Sequence, residues 1–200
     1  MPTHDTALIP RKTPRQARAQ ATCVAIRQAA AHILTGQGRG ALTTNRIAER
    51  AGVSIGSLYQ YYPSKEAILA EMIREMRQDM WLDIRDAAER SDNADLRDLA
   101  EALVRASVGH HAKAPELARQ LEQMELDLPP DPETHQIERS LQALLVRLLA
   151  DRGVAAPETA AQDLTAMTKG VAAEAARVGE TDMDPVIARI CRAVWGYLGV

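Results

Sequence analysis

The segment that decides the fold reads LTTNRIAERAGVSIGSLYQYYPSKE and occupies residues 42–66. It predicts two short helices joined by a tight turn. Thr43 is suited to cap the first helix, because a threonine oxygen there accepts a hydrogen bond from an N–H of the first turn. Gly52 supplies the turn, since glycine adopts a positive φ at little cost, and Ser54 caps the second helix, which ends near Tyr61. Two helices connected in this way form a helix-turn-helix unit.

The second helix of such a unit enters the DNA major groove, while the first helix crosses the phosphate backbone. The leading side of the second helix offers base edges a hydroxyl, an apolar group, close backbone approach and a phenol, and the residues are Ser54, Ile55, Gly56 and Tyr59. Nearby hydroxyl and ammonium donors suit phosphates, and these are Thr44, Ser57, Tyr61 and Lys65. Many two-helix corners with a glycine turn bind nothing, so the motif alone leaves a purely structural role open.

Helix signals continue along the rest of the chain, without strand alternation or an internal repeat. A first helix is predicted over about residues 16–34, ahead of a glycine cluster, and a fourth over about residues 65–90. A fifth begins near Leu96. Prolines mark the starts of the remaining four, because the first helical position needs no N–H, and these are Pro115, Pro132, Pro157 and Pro185. Asp131 and Asp184 are the predicted caps of two of them. The sequence therefore predicts an all-α protein of nine helices.

Charge is divided unevenly along the chain. Residues 1–66 hold nine basic and three acidic side chains, a net charge of +6, whereas residues 67–200 have a net charge of −9. A cationic end suits an anionic partner such as a nucleic acid. Solvated surfaces also carry runs of charge, so charge alone does not choose between these interpretations.

The composition is that of an ordinary soluble chain, with 200 residues of which 46% are hydrophobic. The first two dozen residues contain no apolar run typical of a signal peptide or a membrane span, which predicts a cytoplasmic protein. The two cysteines, Cys23 and Cys191, lie far apart and outside any metal-ligand spacing. We expect both to be unpaired, buried thiols.

The run from Thr43 to Lys65, with Ala41 and Leu42 before it, resembles the DNA-binding region of the tetracycline-repressor (TetR) family of bacterial regulators. The pattern TT..IA..AGVS.GSLY.Y.PSKE stands at the family's spacing and covers about the first third of the chain. The resemblance implies an all-helical homodimer whose first three helices bind an operator. It also implies base contacts by Ile55, Gly56 and Tyr59, and phosphate contacts by Thr44, Ser57, Tyr61 and Lys65. Tyr62 departs from the family, which usually has Phe there; its hydroxyl needs a partner or water.

The predicted organisation has three parts: a flexible arm over residues 1–14, a helix-turn-helix domain over residues 15–63, and a ligand-binding and dimerisation domain over residues 64–200. Disorder is the expected state of the arm. With the next segment on DNA, its basic end can reach adjacent phosphates or the minor groove. The residues predicted for that contact are Arg11, Lys12 and Arg15.

The last two predicted helices carry apolar and small-residue faces that fit a two-fold four-helix interface. The candidate residues are Ala166, Gly170, Ala173, Ile190, Val194 and Tyr197. Completion of the subunit's own core is the alternative role for these faces. A dimer would set two recognition helices about 34–36 Å apart, which predicts a palindromic operator in double-stranded DNA.

The resemblance also implies a small-molecule effector pocket in the larger C-terminal part, and cavities of helical domains commonly lie between helices, here between helices four and eight. Polar groups on an apolar face and adaptable neighbours are the candidates, although ordinary core packing is the favoured role for each of them. They are Met76, Met80, Trp81, Ser107, His110, Met124 and Met167. We predict no metal site and no cofactor, because no histidine or carboxylate cluster has ligand spacing.

The leading hypothesis is a dimeric transcriptional regulator, a repressor released from its operator by a small molecule of unknown identity. The alternative is a DNA-binding regulator, such as an activator, that responds to no effector or to a protein partner. A helical enzyme is disfavoured, because the sequence shows no nucleophile with a base at recognisable spacing.

Overall fold

A computed structural model describes residues 17–200 of the chain. Over that range it contains nine α-helices, one 3-10 turn at Arg39–Ala41 and no strand, which confirms the predicted all-α class. The helices are α1 (Ala17–Gln37), α2 (Thr44–Ala51), α3 (Ile55–Tyr61), α4 (Lys65–Arg90), α5 (Leu96–Lys113), α6 (Pro115–Glu125), α7 (Pro132–Ala150), α8 (Pro157–Arg177) and α9 (Met183–Leu198). Within the described range, every helix is too short or too polar to cross a membrane.

Most of the predicted helix boundaries are confirmed. Three helices begin at the predicted prolines Pro115, Pro132 and Pro157. The prediction for the last helix is wrong: α9 begins at Met183, and its N-cap is Asp182 rather than Asp184. The Asp182 carboxylate accepts a hydrogen bond from the Asp184 N–H at 3.1 Å. Pro185 is accommodated in the first turn because the first N–H groups of a helix have no intrahelical partner.

The first helix runs three residues beyond the predicted end. It passes through Gly36 and stops at Gln37. Gly38 then takes a φ of 76°, a conformation that favours glycine, and its N–H donates to the Leu34 carbonyl at 2.9 Å. The second glycine of the cluster therefore ends the helix, and the first is tolerated inside it.

The chain packs as two compact units. One contains the described residues up to Glu75 together with Glu116–Asp131, and the other contains Met76–Pro115 and Pro132–Val200. Helix α4 thus contributes its first half to one unit and its second half to the other. The division of roles predicted at residues 63 and 64 stays a prediction, because packing alone does not assign function.

In the first unit, α1 packs on α2 and α2 packs on α3. The buried side chains come from every helix of the unit and include Ile26, Leu34, Ile47, Leu58, Ile68 and Leu121. Ion pairs tie the 116–131 segment to the rest of this unit. Among them, Arg39 pairs with Asp127, and Arg74 Nη1 lies 2.9 Å from Asp131 Oδ1. Asp131 is also the residue predicted to cap α7, and that capping role stays a prediction.

The second unit has a core between α5, α8 and α9, extended by α4 and α7. Its central cluster contains Val104, Val108, Ala175, Val186 and Ile190. A neighbouring cluster joins α4 to α7 through buried side chains that include Met80, Ile84, Leu99 and Leu148. Cys191 is buried in the central cluster and unpaired, as predicted, and burial raises the pKa of its thiol.

Candidate nucleic-acid interface

The segment α2–turn–α3 has the local geometry that its capping residues predict. The Thr43 hydroxyl accepts a hydrogen bond from the Arg46 N–H at 3.3 Å, and the Ser54 hydroxyl accepts one from the Ser57 N–H at 3.0 Å. Gly52 lies between the two helices with a φ of 68°. Each cap satisfies an N–H that would otherwise lack a partner, so the turn has a defined geometry.

The inner face of the motif is apolar and tightly buried. Ile47 and Ala48 of α2 and Leu58 of α3 are at most 3% exposed. The other residues of these two short helices are exposed or half-buried. Leu58 in particular fixes how α3 is rotated about its own axis.

Tyr62 is the C-cap residue of α3. Its side chain is buried in the core, with 1% of its surface exposed. Burial raises the pKa of its phenol, so the group stays protonated. The Tyr62 hydroxyl, which a phenylalanine would lack, accepts a hydrogen bond from Arg27 Nη1 at 3.0 Å. Arg27 also pairs with Glu75 of α4 at 2.7 Å. These contacts connect α1, the end of α3 and the first half of α4.

The four residues predicted to contact bases are all exposed on or beside α3. Ile55 and Tyr59 are among the few large apolar side chains of the described residues that are more than a third exposed. The Ser54 hydroxyl is already engaged, because it caps the helix and lies 2.8 Å from the Ser57 hydroxyl. The Tyr59 hydroxyl lies 3.1 Å from Thr44 Oγ1 of α2, so these two groups bind each other in the free protein.

The four residues predicted to contact phosphates, Thr44, Ser57, Tyr61 and Lys65, are half-buried. Lys65 opens α4, and its ammonium group donates to the Leu42 carbonyl at 3.4 Å. That contact is long and to a neutral acceptor, which leaves the positive charge of the lysine uncompensated.

Several cations around the motif lack an acidic partner. Among the residues that the structure describes, no carboxylate lies within ion-pair distance of Arg46, Arg50 or Lys65. Arg46 instead donates to the Gln37 amide oxygen and, at 3.4 Å, to the Ala41 carbonyl. Unpaired cations at a protein surface produce a positive potential that attracts the phosphates of a duplex.

Sequence reasoning missed two exposed polar side chains of the motif, Asn45 on α2 and Gln60 on α3. Neither has a hydrogen bond to another residue in the described part of the chain. Helical spacing could have identified Gln60. It follows the inward-facing Leu58 by two residues and therefore lies on nearly the opposite side of α3. The predicted arm residues Arg11, Lys12 and Arg15 lie outside the described residues.

The residues predicted for a dimer interface separate into two groups. Ala166, Gly170 and Ala173 lie on an exposed side of α8. Tyr197 is 44% exposed, and its hydroxyl donates to Asp163 at 2.7 Å. Ile190 and Val194, in contrast, are buried in the central cluster of their own subunit. They pack there because they share one face of α9 with Val186 and Cys191.

The predicted pocket residues are distributed over both units. Met124 is buried on α6 in the first unit, whereas Met80 and Trp81 pack with α5 and α7 in the second. Met76 and Met167 are half-buried, and the Ser107 hydroxyl donates to the Val104 carbonyl at 2.8 Å. His110 lies in α5, but its side chain is outside what the structure describes. An effector pocket at these residues stays a prediction.

Family models match both parts of the chain. The model of bacterial regulatory proteins of the tetR family matches residues 26–72, which include all of α2 and α3. The model of the tetracyclin repressor-like C-terminal domain matches residues 95–198, more than half of the chain.

Individual proteins show the same likeness. The nucleoid occlusion factor SlmA of Haemophilus ducreyi is 38% identical over 58 residues, which span 29% of this chain and only 28% of that protein. A solved TetR transcription regulator from Haloarcula marismortui is 19% identical with a TM-score of 0.72, covering 90% of this chain and 97% of the other. The fatty acid degradation regulator FadR from Bacillus halodurans is 20% identical with a TM-score of 0.69, covering 86% and 97%. At these identities the structural matches show a shared fold.

Proposed function

The chain belongs to the TetR family of bacterial regulatory proteins and is a DNA-binding transcriptional regulator, and we propose that it is a homodimeric repressor released from its operator by a small molecule. The proposed binding to an operator rests on the surface formed by α2, α3 and the start of α4. There an exposed helix edge with Ile55, Gly56 and Tyr59 lies beside Arg46 and Lys65. Neither cation has an acidic partner among residues 17–200.

In the proposed complex, α3 lies in the major groove. Ile55 meets a thymine methyl group, Gly56 lets the backbone approach the base edges, and Tyr59 reaches a base with its phenol. The single hydrogen bond between Thr44 and Tyr59 is exchanged for contacts of both hydroxyls with the duplex. Lys65 adds a sequence-independent phosphate contact.

Dimerisation through α8 and α9 is proposed on the exposed members of the predicted set, Ala166, Gly170, Ala173 and Tyr197. Small side chains allow the helices of two subunits to approach closely. A two-fold dimer presents two copies of α3 about 34–36 Å apart, and the operator is accordingly a palindrome. Release requires that the effector binds the DNA-incompetent arrangement more tightly than the competent one. The proposed site of action is the bacterial cytoplasm, where the operator is.

Two variants and one control test the DNA-binding surface. We expect Lys65→Ala to weaken binding to all duplexes alike and to lower the salt slope of the binding constant by about one unit. Tyr59→Ala should in addition change which operator is preferred. The control is Lys113→Ala, because Lys113 lies on α5 in the second unit and pairs with Asp83 at 3.0 Å.

The measurement is fluorescence anisotropy with selected and scrambled duplexes over a range of salt concentrations. If both variants bind with the affinity, preference and salt slope of the parent, the proposed surface is not the one that contacts DNA. A thermal-shift screen followed by operator release addresses the effector. A compound that stabilises the protein and lowers operator affinity supports the proposed release, and stabilisers that leave the affinity unchanged contradict it.

A further inference from the structure

We propose that Gln60 is a specificity-determining residue whose side-chain amide recognises an adenine in the major groove. The proposal rests on the proposed function, since it takes α3 to be the helix that enters the groove. It adds a base contact that the sequence did not reveal and assigns it a chemical preference.

The rotation of α3 places Gln60 on the outermost line of the helix. Successive residues of an α-helix are about 100° apart around the axis. Leu58 is fully buried and marks the inner side. Gly56, two residues before it, and Gln60, two residues after it, are therefore each within about 20° of the opposite side. Both are exposed.

Tyr59 lies on the flank of the helix rather than on this line. Its hydroxyl is held 3.1 Å from Thr44 Oγ1, which directs the side chain toward α2. Gln60 has no such constraint, because its amide forms no hydrogen bond with any residue in the range 17–200. Both the donor and the acceptor of the amide are available to a ligand.

Gly56 allows a duplex to approach α3 closely on the same side of the helix as Gln60. It precedes Gln60 by one turn, about 6 Å along the axis. A Cβ built at Gly56 would meet only Ser54 Oγ, at 3.8 Å, and the residue has no positive φ. The interior of the protein thus does not require glycine at this position, whereas a duplex lying against α3 would. The lack of a side chain there lets the longer Gln60 side chain reach the base edges.

Adenine is the base that an amide matches best. The amide oxygen accepts from the adenine N6 amino group while the amide nitrogen donates to N7, and no other base presents that neighbouring pair in the major groove. A good bidentate contact of this kind discriminates against the wrong base by about 5- to 150-fold.

The test is selection of bound sequences from randomised duplexes, followed by anisotropy titrations of single-base variants of the selected operator. The proteins are the full-length parent, Gln60→Ala, Gln60→Glu and the control Gln78→Ala, a change at an exposed glutamine of α4 in the second unit. We expect the parent and the control to require adenine at one symmetric position in each half-site. Gln60→Ala should lose that requirement alone, by about 5- to 150-fold. Gln60→Glu should shift the preference there to cytosine, whose N4 amino group donates to a carboxylate.

The outcomes separate this proposal from the proposed function. If the parent selects a palindrome and Gln60→Ala selects the same one with equal stringency, the regulator binds as proposed but Gln60 does not read a base. Uniform weakening over all duplexes by Gln60→Ala would assign the amide to a phosphate and overturn the proposal as well. A parent that shows no preference among duplexes would overturn both.

Discussion

Replacement of Gly56 by alanine should change stability and DNA binding in opposite directions. The added Cβ has one neighbour within 4 Å, Ser54 Oγ at 3.8 Å, which is an ordinary van der Waals contact. Alanine also restricts the unfolded chain more than glycine does. We therefore expect Gly56→Ala to raise the free energy of unfolding by about 0.4–1 kcal/mol, or Tm by about 1–4 °C for a chain of this size.

The same methyl group should weaken operator binding. Gly56 is on the outermost line of α3, so the new carbon projects toward the base edges that the backbone otherwise approaches. An extra methyl group in a well-packed contact typically costs about 1–3 kcal/mol. That cost corresponds to a loss of about 5- to 150-fold in affinity for each half-site that must accommodate it.

Urea unfolding followed by circular dichroism measures the first effect, and anisotropy with the selected operator at fixed salt concentration measures the second. Gly36→Ala is the matched control, because Gly36 is an exposed helical glycine of the same unit with no atom within 4 Å of its built Cβ. It should gain stability and keep its affinity. Should Gly56→Ala bind the operator as tightly as the parent, the close approach of α3 to the bases is refuted. A loss of stability would refute the packing argument.

Two further predictions concern other parts of the molecule. Tyr62→Phe removes the acceptor of Arg27 but leaves the ion pair with Glu75, so the free energy of unfolding should fall by about 1–2 kcal/mol; an unchanged urea midpoint would show that the hydroxyl adds nothing. Gly170→Arg places a large charged side chain on the exposed side of α8 and should convert the proposed dimer to a folded monomer in sedimentation experiments. The control Ala143→Arg, at an exposed position of α7, should leave the protein dimeric. A dimeric Gly170→Arg protein would contradict the proposed interface.

Local signals in the sequence were reliable where the chemistry is local. The caps Thr43 and Ser54 and the turn at Gly52 stand where predicted, because a cap depends only on residues three positions apart. The predicted cap of the last helix was wrong. Asp182, two positions before the predicted Asp184, caps α9, and both residues have the same side chain.

Contacts between residues that lie far apart in the sequence could not be predicted from local patterns. The hydrogen bond between Arg27 and the buried Tyr62 crosses 35 positions of sequence. The hydrogen bond that Asp131 accepts from Arg74 likewise joins residues 57 positions apart. For Ile190 and Val194 the sequence left open a dimer interface or the subunit's own core. In the structure both are buried in the cluster with residues of α5 and α8.

The sequence by itself determined the all-α class, the helix-turn-helix and the cationic character of the first 66 residues, since these depend on short-range periodicity, capping chemistry and composition. Only the tertiary structure decided that residues 116–131 pack with the N-terminal unit, and that Gly56 and Gln60 share the outer line of α3. The physical reason is that side-chain pairing and helix rotation are set by long-range packing, here by the burial of Leu58, and no local pattern records them.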